Sequence, residues 1–484
     1  MKKSIHISIF VVGIIVLLFE LTGARIIAPY FGTSIYVWTG VIGVILGSLS
    51  GGYWYGGSRA DQNKSRSEYT QLLLLAVVGI SFTLFAKGII LSAVALRIDD
   101  IRIGALLASI FLFSPTSFLL GMTTPYALRI TLNDVNMAGR VTGNLYALST
   151  IGSIIGTFLG GFFLIPLLGI RGVLLVCIAL LFIIVLLVDR KQFMKVLVLL
   201  LVIVFALFFS STKSTAIVHY ETPYNHLLVY ENVDQKTGEE IKILQVDNYI
   251  SSAVFKCKEG LVYDYLKYYR LDKHINPAFK KTLMIGGSAC TYPRELISRN
   301  KKVTIDVVEI DERLVKLAKE EFSLVEDQRM RFFYEDGRVF LNRNQEKYDI
   351  VYVDAFTSNF SLPYQLTTTE AVQKIHQSLT EGGGVIVNLL SSLEKGKDTF
   401  LRAELATYQS IFPYVYLFRV EGLNSTLDHV QNVCLVATRK ELSKEAINDE
   451  VADYLQNQFI LTGEVLPILT DDKAPVAYYL NQAY

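Results

Sequence analysis

Three acidic residues, Glu309, Asp336 and Asp354, each stand at the end of a predicted strand in the C-terminal half of the chain. The carboxyl ends of parallel strands meet at one edge of a sheet, where ligands bind. A carboxylate after the second strand can accept hydrogen bonds from both ribose hydroxyls, and one after the third lies where an adenine amino group would be. Asp354 is left facing the reacting centre. One acidic strand end alone would be read as a helix cap, but three in order predict a nucleoside site.

A glycine turn, Gly286-Gly287-Ser288, follows the predicted strand that precedes these three. Because glycine has no side chain, such a turn lets the backbone approach a ligand closely. The turn lacks the GxGxxG spacing of dinucleotide-binding proteins, so a nicotinamide cofactor is the less favoured ligand.

The elements that position these residues alternate between strands and helices from Lys281 to about residue 390. Alternation of this kind predicts parallel strands joined by right-handed crossovers. Residues 215–255 instead contain four short strand-like stretches separated by turns, which indicates a small β unit.

The N-terminal half is almost entirely apolar and contains about seven segments, most of them near the 20 residues needed to cross a bilayer. The segments lie near 4–27, 36–57, 70–91, 103–122, 141–165, 172–188 and 194–211. The glycines 152, 156 and 160 repeat every four residues, a spacing that lets membrane helices approach closely. We therefore predict a transmembrane domain over 1–212, a β domain over 213–275 and a Rossmann-like domain over 276–484.

Lysines and arginines fall into two groups on alternate loops of this half. The positive-inside rule makes the richer group cytoplasmic; it comprises Lys2, Lys3, Arg59, Lys64, Arg66, Arg129, Arg140, Arg190, Lys191 and Lys195. With seven spans, this rule would place the C-terminal half outside the cell, whereas an adenosyl co-substrate is found inside. We expect a multi-pass protein of the cell membrane with a cytoplasmic catalytic domain, an expectation that the loop charges oppose.

The remaining bulk properties exclude other classes. A formal net charge of +1 gives no electrostatic basis for binding nucleic acid. The four cysteines show neither CxxC spacing nor an evident pairing, so no metal site is predicted. The expected partner from these properties is the lipid bilayer, and a homodimer is compatible with the sequence; the small-molecule amine expected as a further partner is implied by the resemblance described next.

Several long stretches resemble the spermidine synthase family of polyamine aminopropyltransferases, particularly its branch with an N-terminal multi-pass domain. The stretches in the C-terminal half are YETPYNHLLVYE, EIKILQVDNYISS, TLMIGGSACTYPRE, VVEIDERLV, YEDGRVFL, VYVDAF and LTDDKAPV. In the N-terminal half they are FELTGARIIAPYFGTSIYVWTG, FLLGMTTPYALR and GNLYALSTIGSIIGTFLGGFFLIPLLG. The resemblance implies a multi-pass α-helical membrane domain, then a small β unit and an α/β domain of the S-adenosylmethionine-methyltransferase type.

The resemblance also implies a reaction and the residues that perform it. The family transfers an aminopropyl group from decarboxylated S-adenosylmethionine, a co-substrate, to putrescine or a related diamine, and it holds no permanent cofactor. Glu309 would hold the ribose, Asp336 with Gly337 would contact the adenine, and Asp354 would be the catalytic carboxylate. Ile310, directly after Glu309, is assigned to the nucleoside site with the glycine turn.

This chain departs from the family pattern in the half of the site that would hold the aminopropyl group and the diamine. The family's acidic and polar positions there are occupied by Ser251, Tyr263, Asp264, Tyr265, Ala289 and Thr357. Replacement contacts to the substrate are assigned to Asp247, Tyr263 and Asp264. Two other functions therefore stay open: an S-adenosylmethionine-dependent methyltransferase, and a non-catalytic membrane protein that binds a polyamine or nucleoside.

Overall fold

The computed structural model describes residues 2–98, 100–210, 217–222, 224–247, 249–355, 363–443, 451–463 and 466–482. The chain folds as two compact units, Met1–Thr215 and Ala216–Tyr484. The predicted domain boundary after residue 212 falls within residues 211–216, outside the described residues.

In the first unit, the described residues form seven α-helices in succession. They are α1 (Lys2–Phe31), α2 (Ile35–Gln62), α3 (Arg66–Ala95), α4 (Ile101–Thr131), α5 (Ala138–Leu159), α6 (Ile165–Val188) and α7 (Phe193–Ser210). Within the described residues, six helical stretches are long and apolar enough to cross a membrane. The sequence predicts seven segments. The structure has one stretch fewer because α5 and α6 lie in one continuous helical run, Val135–Val188.

This long run is interrupted inside α6. At 54 residues it would measure about 80 Å if straight, far more than the roughly 30 Å of a bilayer core. Gly169 breaks the helical geometry with φ 64° and ψ 178°, a conformation open mainly to glycine. The predicted segments 141–165 and 172–188 lie on either side of this break.

Glycine contacts bring α5 against α1. A Cβ added to Gly152 would lie 2.0 Å from the carbonyl oxygen of Phe10, and one added to Gly156 would lie 2.6 Å from that of Ile14. The two backbones are therefore in direct contact, as the four-residue glycine spacing predicts.

Gly152→Ala is expected to destabilise the helical unit, because even a methyl group cannot fit against the Phe10 carbonyl without separating α1 from α5. Forced overpacking of this kind typically costs about 1–3 kcal/mol. Thermal unfolding of detergent-purified protein measures the effect. Gly143→Ala is the matched control, since a Cβ at Gly143 in the same helix meets nothing within 4 Å. Equal unfolding temperatures for the two variants would contradict close packing at Gly152.

The second unit begins with an antiparallel four-stranded sheet in the order β1-β2-β3-β4. Its strands are β1 (Ile217–Glu221), β2 (His226–Val233), β3 (Glu240–Val246) and β4 (Tyr249–Phe255). Two short helices follow, α8 (Asp264–Tyr268) and α9 (Asp272–Ile275). Leu227 and Leu244 of this sheet share a buried core with Met284 and Tyr352 of the α/β layer, so the two parts form one unit.

The α/β layer is an eight-stranded sheet in the order β12-β10-β11-β9-β8-β5-β6-β7. The five strands β9, β8, β5, β6 and β7 are mutually parallel, and β11, β10 and β12 extend the sheet in antiparallel fashion. The strands are β5 (Lys281–Ile285), β6 (Thr304–Val308), β7 (Met330–Phe333), β8 (Tyr348–Val353), β9 (Leu379–Ser391), β10 (Tyr414–Arg419), β11 (Gln431–Thr438) and β12 (Gln458–Phe459).

Helices connect the parallel strands, as their alternation in the sequence predicts. They are α10 (Thr291–Arg299), α11 (Glu312–Glu321), α12 (Gly337–Arg343) and α13 (Thr369–Ser378), followed by α14 (Thr399–Gln409), α15 (Ala452–Leu455) and α16 (Val476–Gln482). The predicted fold class is confirmed: apolar helices, then a β-rich region, then an α/β layer of the methyltransferase type.

Candidate active site

The predicted strand ends lie side by side. Strands β8, β5, β6 and β7 are neighbours in that order and run parallel. Asp354, Gly286 and Glu309 directly follow β8, β5 and β6, so they share one edge of the sheet. Asp336 lies three residues beyond the end of β7.

Glu309 holds the glycine turn in place. Its Oε2 atom accepts hydrogen bonds from the backbone N–H groups of Gly287 (2.9 Å) and Ser288 (3.0 Å), and its Oε1 atom accepts one from Asp311 (3.1 Å). Burial raises the pKa of Glu309, and these backbone donors oppose that rise. Oε2 thus uses both of its acceptor sites, while Oε1 keeps one that suits a ligand hydroxyl group. The next side chain, Ile310, is apolar and 36% exposed.

The glycine turn contacts the segment that carries Asp354. Gly286 has φ 86°, and a Cβ there would lie 2.2 Å from the backbone oxygen of Asp354. A Cβ on Gly287 would lie 2.7 Å from Val307 Cγ1. Only glycine fits at Gly286, for reasons of both space and conformation. The turn therefore contacts the Asp354 backbone at Gly286 and the Glu309 carboxylate at Gly287.

Asp354 sits deep in this unit but keeps partial exposure to a pocket. Its Oδ1 atom accepts a hydrogen bond from Asn388 Nδ2 (3.0 Å). Asn388 is oriented in turn by Asn432, whose Nδ2 donates to Asn388 Oδ1 (2.9 Å). Burial raises the pKa of Asp354, and the Asn388 amide with the Tyr269 and Tyr265 hydroxyls opposes that rise. The Asp354 carboxyl group is therefore held in one orientation.

The pocket beside Asp354 has a wall of hydroxyl groups. Ser251 and Ser288 are hydrogen-bonded through their Oγ atoms (2.7 Å), and Ser252 donates to Ser288 Oγ (3.0 Å). Thr291 lines the same pocket. Among the lining residues within the described part of the chain, Asp354 is the only one with an ionisable carboxylate or a basic group.

Asp336 caps helix α12. Its Oδ1 atom accepts hydrogen bonds from the backbone N–H groups of Arg338 (2.8 Å) and Val339 (3.1 Å), and its Oδ2 atom accepts one from Gln365 Nε2 (3.1 Å). Gly337 brings the start of this helix against β5, because a Cβ there would lie 2.5 Å from Ile285 Cγ2. Asp336 thus has a structural role that is compatible with, and separate from, the predicted adenine contact.

The three residues predicted to replace the missing substrate contacts have other partners. Asp264 pairs with Lys236 (2.6 Å) and Lys267 (2.7 Å). Asp247 accepts a hydrogen bond from the His226 backbone at 3.0 Å, and Tyr263 packs against the buried side chains of β3. None of them lines the pocket within the described residues, so their role in substrate binding stays a prediction. Thr357 lies in residues 356–362, outside the described residues.

Sequence reasoning missed the residues that orient Asp354. Tyr265 and Tyr269 come from the helical turns before β5, and Asn388 comes from β9. The signal for Asn388 is an amide inside the apolar stretch VIVNLL, where a side chain needs a buried hydrogen-bond partner. Tyr265 and Tyr269 carry no comparable signal, because tyrosine is frequent in this chain and mostly packs in cores.

Residues 270–420 match the family model described as the spermine/spermidine synthase domain. This stretch of the chain is similar to the spermine/spermidine synthase domain. The matched residues include the glycine turn, Glu309, Asp336, Asp354 and Asn388, so the domain contains the whole edge described above.

Curated relatives are named for one activity. A probable polyamine aminopropyl transferase of Bifidobacterium longum is 27% identical over 280 residues, which cover 53% of this chain and 60% of that protein. A polyamine aminopropyltransferase of Clostridium beijerinckii is 36% identical over 117 residues, covering 23% of this chain and 40% of that protein. The chain thus spans less than two thirds of the length of these two relatives.

Solved structures similar to this chain include a probable spermidine synthase from Corynebacterium glutamicum. It has 20% sequence identity and a TM-score of 0.42, covering 49% of this chain and 84% of that chain. Spermidine synthase from Thermotoga maritima has 13% identity and a TM-score of 0.39, covering 55% of this chain and 85% of that chain.

Proposed function

We propose that the protein is an aminopropyltransferase that uses an S-adenosyl sulfonium donor, of which decarboxylated S-adenosylmethionine is the family type, and an amine such as putrescine as acceptor. The observation that carries this proposal is the position of Asp354. It lies at the end of β8, directly against the glycine turn that Glu309 holds, and beside a pocket.

In this mechanism Glu309 and the glycine turn bind the nucleoside, and Asp354 acts on the acceptor. An amine arrives protonated and must lose a proton before its nitrogen can attack. Asp354 attracts the ammonium group and accepts that proton. The nitrogen then forms a bond to the carbon of the donor's aminopropyl group that is attached to sulfur. The carbon–sulfur bond breaks, and its electron pair neutralises the sulfonium to give methylthioadenosine. The pocket contributes by holding nitrogen, carbon and sulfur in line.

A methyltransferase is the second candidate, because beside Asp354 the described residues of the pocket offer serine and threonine hydroxyl groups and no second carboxylate. The aminopropyl group of the decarboxylated donor ends in an ammonium, and Asp354 is the one carboxylate among the described pocket residues. If Asp354 serves the acceptor, the donor's ammonium has hydrogen-bond partners in Ser251 and Ser288 but no counter-charge. Intact S-adenosylmethionine brings its own carboxylate and does not need one.

One experiment distinguishes these functions. Purified full-length protein is incubated with either donor and a panel of diamines, and the products are identified by mass spectrometry. Aminopropyl transfer is expected to yield an amine heavier by one aminopropyl group together with methylthioadenosine. A methylated amine with S-adenosylhomocysteine would replace the proposal by the second candidate. No product with any pair, together with retained methylthioadenosine binding, would favour a non-catalytic binding protein.

The six apolar helices support a multi-pass location in the cell membrane, which we propose as part of this function. The cytoplasm holds the adenosyl donor, so a cytoplasmic catalytic unit is proposed against the indication of the loop charges. Protease protection of the C-terminal unit in right-side-out membrane vesicles tests this orientation.

The pH dependence of transfer is expected to report the raised pKa of Asp354. A general base must be ionised, so the rate should fall as the pH drops through that pKa, at a higher pH than for an ordinary aspartate. Asn388→Ala removes a donor that lowers this pKa and should move the acidic limb further upward. Asn432→Ala removes only the hydrogen bond that orients the Asn388 amide, so it should move the acidic limb less. An unmoved limb in Asn388→Ala, measured as kcat/KM against pH, would contradict the assignment.

A further inference from the structure

A groove opens between α3 and α7 in the helical unit. Its walls are formed by two stretches near the beginnings of these helices, and it has a volume of about 520 Å³, within the size range of ligand-binding pockets. The apolar walls are contributed by Leu74, Leu75, Val78, Met194, Val198 and Leu199. Two polar side chains, Gln71 and Lys195, complete the lining.

The groove exists because α7 packs loosely. Only 17% of the most apolar window of this helical stretch is buried, against 33–56% for the other five. Val196 and Ile203, two turns apart on α7, are buried at 6% exposure each, while Val198, Leu201 and Val202 are exposed by more than half. A narrow strip along α7 is therefore buried, and the apolar surface beside that strip is left for another molecule to cover.

Basic side chains lie at the end of the groove where α7 begins. Lys195 lines it, and Arg190 and Lys191 lie in the turn just before α7. No ion pair or side-chain hydrogen bond is found for these three groups within the described residues. The acid beside them, Asp189, accepts its hydrogen bonds from the Lys191 backbone and from Gln192. The mouth of the groove is therefore positively charged.

We propose that this groove binds an anionic phospholipid, with an acyl chain along the apolar walls and its phosphate beside Lys195. The chemistry of the groove matches such a molecule at both ends, apolar within and cationic at the mouth. Basic pockets between membrane helices bind the head groups of anionic lipids, and lysines and arginines near the membrane surface strengthen that attraction. The proposal rests on the membrane insertion of the helices, and not on the reaction of the second unit.

Native mass spectrometry of the full-length protein, released from membranes into detergent with equal amounts of phosphatidylglycerol and phosphatidylcholine, tests this. We expect the wild type to retain phosphatidylglycerol preferentially. The double substitution Lys191→Gln, Lys195→Gln should reduce that preference roughly tenfold, because each basic group near the surface strengthens anionic-lipid binding several-fold. Lys64→Gln is the matched control: Lys64 lies on the same membrane side but donates to the Leu132 carbonyl oxygen, outside the groove.

A second substitution separates the groove from a general surface attraction. Leu75→Trp narrows the apolar wall without changing any charge, so it should reduce the retention of phosphatidylglycerol while a surface attraction would be unaffected. Equal retention of both lipids by the wild type would overturn the proposal. An unchanged preference in the Lys191/Lys195 variant, or an undiminished one in Leu75→Trp, would overturn it as well.

Discussion

Asp354→Asn is expected to lower the transfer rate by about 10²–10⁴-fold, the usual loss when a general base is removed. The substitution keeps the fold at this point because the amide oxygen of asparagine can still accept the hydrogen bond from Asn388 Nδ2. It removes the charge and the ability to accept a proton from the amine. Affinity for methylthioadenosine should therefore change little, since Glu309 and the glycine turn are untouched.

Single-turnover rates and calorimetry, measured on the same preparation, check both halves of this expectation. Asp349→Asn is the matched control. It lies near the beginning of β8, at the opposite end of the strand from Asp354, and accepts hydrogen bonds from the Lys280 and Lys281 backbones. A transfer rate in Asp354→Asn equal to that of Asp349→Asn would remove Asp354 from the mechanism.

Glu309→Gln is expected to weaken the binding of methylthioadenosine by roughly ten- to a hundredfold. Hydrogen bonds to a charged acceptor are each worth about 1.5–3 kcal/mol, and the substitution removes the charge. The structure gives a second reason to expect weaker binding of methylthioadenosine. The Glu309 carboxylate receives three backbone N–H donors through both of its oxygens, and a glutamine must turn its NH₂ group toward at least one of them. The turn that approaches the ligand is then less well held.

Isothermal titration calorimetry with methylthioadenosine measures this affinity directly. Glu312→Gln, at the exposed first position of α11, is the matched control for loss of a nearby negative charge. Thermal unfolding of both variants shows whether the Glu309 effect is confined to the site. Affinity in Glu309→Gln equal to the wild type would end its assignment as the ribose ligand.

The parallel sheet and the edge at which its acidic residues meet could be predicted from the sequence because local signals determine them. Short apolar runs predict the buried strands, and amphipathic segments predict the connecting helices. A glycine or an acidic residue marks the end of each strand. Once the strands are parallel, the register places Gly286, Glu309 and Asp354 at one edge without further information. The apolar lengths of the N-terminal half predicted its helices for the same reason.

The surroundings of Asp354 could not be read in this way. Tyr265, Tyr269 and Asn388 come from segments far apart in sequence, and their convergence depends on how the helical turns of residues 264–275 pack against the large sheet. Asp264 also shows that the sequence does not reveal the partners of a side chain. Its position in the chain predicts a substrate contact, and only the fold shows that Lys236 and Lys267 lie beside it.

The sequence by itself therefore determined the order of elements, the sheet edge at which the acids meet and the identity of those acids, since each depends on residues within one short segment. Only the tertiary structure decided the partners of each acid. Glu309 is engaged by the glycine turn, Asp336 caps α12, and Asp354 alone lines the pocket. A carboxylate becomes a ligand, a cap or a base according to the donors that packing brings within hydrogen-bond distance, and those donors come from the rest of the fold.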